Sequence, residues 1–228
     1  MLPLRDDIPS ETSPIVNYVL IGVNVVMFVY ELMLGEGLDR FLMQAAFVPS
    51  QLGAAGHGFE IHNALLSMFL HGGWAHIGGN MLFLWIFGDN VEDRLGHVRY
   101  VVFYLLCGAF AALAQTYINA ESMVPMIGAS GAISGVLGAY IVLFPHSRVL
   151  TIVPIVFFIQ LLEVPAIVLL GLWFLMQLLS GVGSLGDRAD VGGIAFWAHV
   201  AGFAAGLALV YVFKQPERQK VEWWDGVR

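Results

Sequence analysis

Apolar residues run through this chain in six long blocks, near 14–34, 74–91, 99–119, 127–145, 165–181 and 194–214, each closed off by Gly, Pro or charged residues. A helix crosses a bilayer with about 20 mostly apolar residues, so each block is expected to be a membrane-spanning helix. Composition agrees: of 228 residues 58% are hydrophobic and 12% charged, more apolar material than one soluble core of this size would bury. The basic residues then set orientation. With six spans, Arg5, Arg94, Arg99, Arg148, Lys214, Arg218, Lys220 and Arg228 fall on one side, and Arg40 and Arg188 on the other. Eight against two is a positive-inside bias that an odd number of spans would destroy, and it places both termini in the cytoplasm. The expected fold is an all-α membrane protein, with a cytoplasmic tail over 1–13, a six-helix domain over 14–214 and a second cytoplasmic tail over 215–228.

Three connections are more than turns. Residues 35–73 are too long for an ordinary loop and carry apolar stretches, which predicts a partly interfacial external segment. Residues 146–164, broken by Pro154, read as a cytoplasmic interfacial stretch, and the glycine-rich 182–193 reads as an external loop able to move before the last helix. Arg5 stands among Asp6, Asp7 and Glu11, unlike the basic start of a signal peptide, so the first apolar block is expected to remain in the mature protein. The net charge of -7 is scattered, which leaves no nucleic-acid surface, and Cys107 is alone, which rules out a disulfide within the chain.

Candidate chemistry sits in three of the blocks. The fourth begins Ile127-Gly128-Ala129-Ser130-Gly131, and nine of the twelve residues from 128 to 139 are Gly, Ala or Ser, a helix built for close neighbours. The sixth carries His199 with Gly202 and Gly206 on the same face, a small surface against which the fourth can pack. The second places His76 and Asn80 four residues apart. All three helices begin on the external side, so Ser130, His199, His76 and Asn80 lie within roughly 10 Å of that boundary at about 1.5 Å per residue. A serine hydroxyl is a weak nucleophile until a base accepts its proton, and His199 is that base at neutral pH. Asn80, His76 and the backbone N–H of Ser130 are expected to stabilise the oxyanion of acyl transfer. Glu31 is the one carboxylate near this depth; its competing role is that of a boundary residue, and a Ser–His dyad is expected. A metal or transport role competes, because His57, His62 and His71 also lie towards the external side. Without an HExxH motif and with few acidic partners, no metal and no cofactor are expected.

At these residues the chain resembles bacterial rhomboid proteases of the basic six-helix form. The resemblance covers helix one to helix six and rests on Gly128 to Gly131, His199 with Gly202, His76 with Asn80, and the stretch Gly88 to Gly96. It implies an intramembrane serine endopeptidase in a bacterial inner membrane, opening to the external side and cutting single-span membrane proteins. The alternative is a catalytically inactive rhomboid-like protein that binds or escorts membrane helices. Two departures stand out. Many relatives carry an aromatic residue four positions after the nucleophile, where this chain has Ser134, and some carry a Trp-Arg pair in the first external loop, absent between 35 and 73.

Overall fold

In the computed structural model the residues described are 1–51, 61–155, 158–184 and 195–216. The chain is mostly helical. A strand β1 (Leu2–Asp6) precedes helix α1 (Ile15–Met33), the short helices α2 (Leu38–Ala45) and α3 (Ile61–Ser67), and the long α4 (Trp74–Leu95) and α5 (His97–Ile118). Helix α6 (Ser130–Leu143), strands β2 (Arg148–Ile155) and β3 (Phe158–Pro165), and helices α7 (Ala166–Ser184) and α8 (Phe196–Phe213) follow. Four helices, α1, α5, α7 and α8, are long and apolar enough to cross a membrane. Helix α4 is longer than any of these but α5, which it equals, and its last two turns hold Asp89, Glu92, Asp93 and Arg94. Helix α6, at 14 residues, extends only about 21 Å.

Helix α6 is the hub, with every residue from Ala132 to Tyr140 buried. Its glycines explain how. A Cβ at Gly202 or Gly206 of α8 would run into the carbonyl groups of Gly131 and Gly135, and a Cβ at Gly138 would run into the backbone of Phe203. A Cβ at Gly135 would strike Cys107 of α5 and crowd the Gly202 carbonyl of α8. In lipid there is no hydrophobic force between helices, so such backbone approach supplies the van der Waals contact that holds them together.

The all-α expectation needs one amendment. Residues read as a tail and as an interfacial stretch form a three-stranded antiparallel sheet in the order β1-β2-β3. Strand β1 pairs with β2 from Leu2↔Ile152 to Asp6↔Val149, and β2 with β3 from Arg148↔Pro165 to Ile155↔Phe158. Val149, Thr151, Ile152, Val153 and Ile155 are β-branched, which favours strand over helix. Pro154 lies beyond the end of β1, where β2 has a neighbour on one side only and a missing N–H is tolerated as on an edge strand.

The end of α4 ties this sheet to the bundle. One oxygen of Asp6 accepts hydrogen bonds from Asn90 Nδ2 at 2.6 Å and the Tyr140 hydroxyl at 2.5 Å. Asp93 accepts the backbone N–H groups of Glu11 and Thr12. Helix α1 has no side-chain cap of its own, and the buried Glu92 carboxylate accepts the N–H groups of Val16 and Asn17 at 3.0 and 2.7 Å. A carboxylate there satisfies orphan donors and faces the positive end of the helix dipole. The stretch Gly88 to Gly96 is thus the closing part of α4, ending at Gly96 with φ +81°.

Candidate active site

Ser130 is the first residue of α6. The turn before it needs glycine: Gly128 has φ +121°, which L side chains rarely adopt, and its N–H is held by the Ser67 carbonyl at 2.9 Å. A Cβ on Gly128 would sit 2.7 Å from Nε2 of His76 and 3.6 Å from Oγ of Ser130. The space left by that missing atom therefore lies between the two side chains.

His199 stands in the first turn of α8, and close packing of α6 on α8 brings the pair together. Oγ of Ser130 lies 2.8 Å from Nε2 of His199. The start of α8 is held by α5, where Gln115 Oε1 accepts the Ala198 N–H at 3.1 Å. On its other side the imidazole meets α7: Nδ1 is 2.7 Å from Gln177 Oε1, and the Trp173 ring lies against it with centroids 5.9 Å apart.

His76 and Asn80 lie one turn apart on α4, as their spacing requires. The Gly72 N–H donates to His76 Nδ1 at 3.4 Å, which leaves the proton on Nε2, the atom nearest the space at Gly128. Asn80 is buried and its Nδ2 has no protein partner among the described residues. A buried, unpaired donor is costly and acquires a reason where a ligand supplies the acceptor.

Several features lay outside the sequence reading. Ser134 turns into its own helix, its hydroxyl donating to the Ser130 carbonyl at 2.6 Å, and the ring against His199 comes from Trp173 instead. Glu31 is buried and accepts the His71 N–H at 3.1 and 3.2 Å. The partner of His199 Nδ1 is therefore an amide, Gln177. A lone amide in an otherwise apolar helix was the available signal for it. Residues 182–184 of the stretch read as a loop are the last of α7, and 185–193 lie outside the described residues, as do 52–60 of the segment 35–73.

A bundle of apolar helices around a hydroxyl–imidazole pair at a glycine-bounded helix start defines a multi-pass membrane protein with a hydrolase-type site. Residues 58–216 match the rhomboid domain, and the chain belongs to the rhomboid family, a family of serine proteases. It is similar to Rhomboid protein 1, mitochondrial, of Saccharomyces cerevisiae, with 29% identity over 89% of this chain and 55% of the yeast protein. Rhomboid protease GluP of Bacillus subtilis is 33% identical over 56% of this chain and 24% of its own length. RHOMBOID-like protein 1 of Arabidopsis thaliana is 31% identical over 69% of this chain and 36% of its own. The chain thus spans about half, or less, of the curated relatives it matches.

Proposed function

We propose that this protein is an intramembrane serine endopeptidase that cuts single-span membrane proteins near the external face of a bacterial inner membrane. The observation that carries the reading is the 2.8 Å contact between Ser130 Oγ and His199 Nε2. In the proposed reaction His199 accepts the Ser130 proton as Oγ attacks the scissile carbonyl, then returns it to the leaving amine. The developing oxyanion occupies the space beside Gly128, where His76 Nε2–H, Asn80 Nδ2 and the Ser130 N–H are its donors.

The proposed topology has six spans and cytoplasmic termini, with α4 and α6 joining the four helices that are long and apolar enough to cross a membrane. The shortness of α6 supports a site below the surface: about 21 Å of helix falls short of a hydrocarbon core of roughly 30 Å. The substrate residue next to the cut is small. Beside Ser130 lies a cavity of about 40 Å³ walled by residues such as Gly108, Ala111, Ala112, Ala132 and Ala198. A buried water needs about 10–15 Å³ of such space, so this cavity has room for a small side chain only. Small residues also weaken a substrate helix, which must unwind before its peptide bond reaches Ser130.

The test is a fluorophosphonate probe applied to the purified protein in lipid. Label is expected on Ser130 in the parent and on neither Ser130→Ala nor His199→Ala, with cleavage of a transmembrane reporter lost in both. Absence of label on well-folded parent protein would overturn this reading and favour the inactive escort.

A further inference from the structure

We infer that Gln177 is a positioning residue, whose amide oxygen holds His199 in the tautomer able to take the Ser130 proton. The inference rests on the dyad proposed above and adds to it a third member from a different helix. A neutral imidazole carries one N–H, on either Nδ1 or Nε2. To accept from the Ser130 hydroxyl, Nε2 must be bare and the proton must sit on Nδ1. Gln177 Oε1 faces Nδ1 at 2.7 Å, and a carbonyl oxygen only accepts. It attracts Nδ1–H and repels a bare Nδ1, so the wrong tautomer is disfavoured from the far side of the ring. With the ring partly buried between α6 and α7, the bias is stronger than it would be in open solvent.

In the familiar serine–histidine–carboxylate arrangement an aspartate holds the tautomer and also stabilises the imidazolium. Among the described residues no carboxylate hydrogen-bonds to His199, and Glu31 is engaged by the His71 N–H. The amide performs the first of those tasks by its acceptor and contributes to the second only through its dipole.

Placement on α7 gives an independent reason for an amide at this position. Apart from its closing Ser180 and Ser184, Gln177 is the one hydrogen-bonding aliphatic side chain in a run of Ala, Val, Ile, Leu, Met, Gly and aromatic residues. A polar group in such a helix is retained when it has a partner inside the bundle. Trp173, four residues earlier, shares its face and lies along the His199 ring. Helix α7 therefore contacts one imidazole twice: the indole restricts the ring plane, and the amide selects the proton position.

The experiment uses the full chain in lipid nanodiscs, with the parent, Gln177→Met and Gln177→Glu. Met keeps the length and loses the acceptor; Glu keeps the acceptor. Three quantities are read: kcat and KM on a transmembrane reporter, the rate of fluorophosphonate labelling, and the ¹⁵N spectrum of labelled histidine, with His199 assigned by its loss in His199→Ala. In Q177M we expect kcat and labelling to fall roughly 10- to 10³-fold, less than the ~10⁴ seen when a catalytic histidine is held in the wrong tautomer, with KM nearly unchanged. The His199 signal should move from the Nδ1–H towards the Nε2–H form. Q177E should retain the Nδ1–H form and stay within about tenfold of the parent in kcat. Parent-like kcat in Q177M, an unchanged Nδ1–H signal in it, or equal losses in Q177M and Q177E would each overturn the inference. If Q177M does not fold, Q177E decides: keeping both tautomer and turnover supports the inference, and losing either overturns it. Failure of the parent to label at Ser130 would instead strike the dyad reading, leaving the tautomer result to be judged by itself.

Discussion

Helix α8 meets its neighbours in two different ways. Towards α6 it presents Gly202 and Gly206, and the contact is backbone on backbone, with the carbonyls of Gly131 and Gly135 where side chains would otherwise stand. Towards α7 it presents His199 and Phe203, met by the long side chains of Trp173, Phe174 and Gln177. The first contact sets how far apart Ser130 and His199 can be, because a backbone cannot rotate aside. The second sets how the imidazole is turned, because rings and amides have directions that glycines lack. Distance and orientation are thus assigned to two adjoining sets of contacts on one helix, and they should fail separately.

The largest effect is expected where the glycine contact is broken. A Cβ at Gly206 already lies 2.6 Å from Cα and C of Gly135, so Gly206→Leu must push α8 off α6. We expect about 3 kcal/mol of destabilisation, the upper range for overpacking, together with loss of proteolysis; thermal unfolding in lipid and reporter cleavage measure the two. Next comes Asn80→Ala, which removes one proposed oxyanion donor while Ser130, His199 and the glycines stay in place. Turnover should fall about 10²–10³-fold with little change in stability, whereas a purely packing role predicts the reverse. Trp173→Ala sharpens the contrast from the α7 side. It should lower kcat by about ten- to 10²-fold through a poorly oriented base, with unfolding temperature shifted far less than in Gly206→Leu.

The smallest effect lies at the other end of the molecule and serves as a control on both contacts. Burial, helped by the neighbouring Asp89 and Asp7 carboxylates and opposed by the Tyr140 hydroxyl, raises the pKa of Asp6 from 3.8 to about 6. A folded pKa above the unfolded one means that the docked β1 binds the proton more tightly. Docking is therefore strongest below about pH 4 and weakens as pH rises through about 6. Limited proteolysis of the N-terminal segment should speed up a few-fold between pH 5 and pH 8 in the parent and much less in Asp6→Asn. Dyad labelling followed over the same range would show whether this end is coupled to the site.

Helices and the small-residue faces were legible along the chain because lipid leaves few options. A long apolar block in hydrocarbon must satisfy its own backbone, which it does as a helix, and a row of glycines such as 131, 135 and 138 states in one dimension where another backbone will approach. Ser130 and His199 could be matched because each lies on such a row near the start of its helix. The sheet was not legible, since Leu2 finds its partner at Ile152 and no local pattern records a pairing so far along the chain. Nor were the roles of Glu31 and Gln177, two polar residues in apolar helices whose spacing names no partner. One binds a backbone N–H forty positions away and the other the ring of His199. Helical periodicity places a residue on a face, but which nitrogen its oxygen reaches depends on how three helices pack and which rotamers that packing allows.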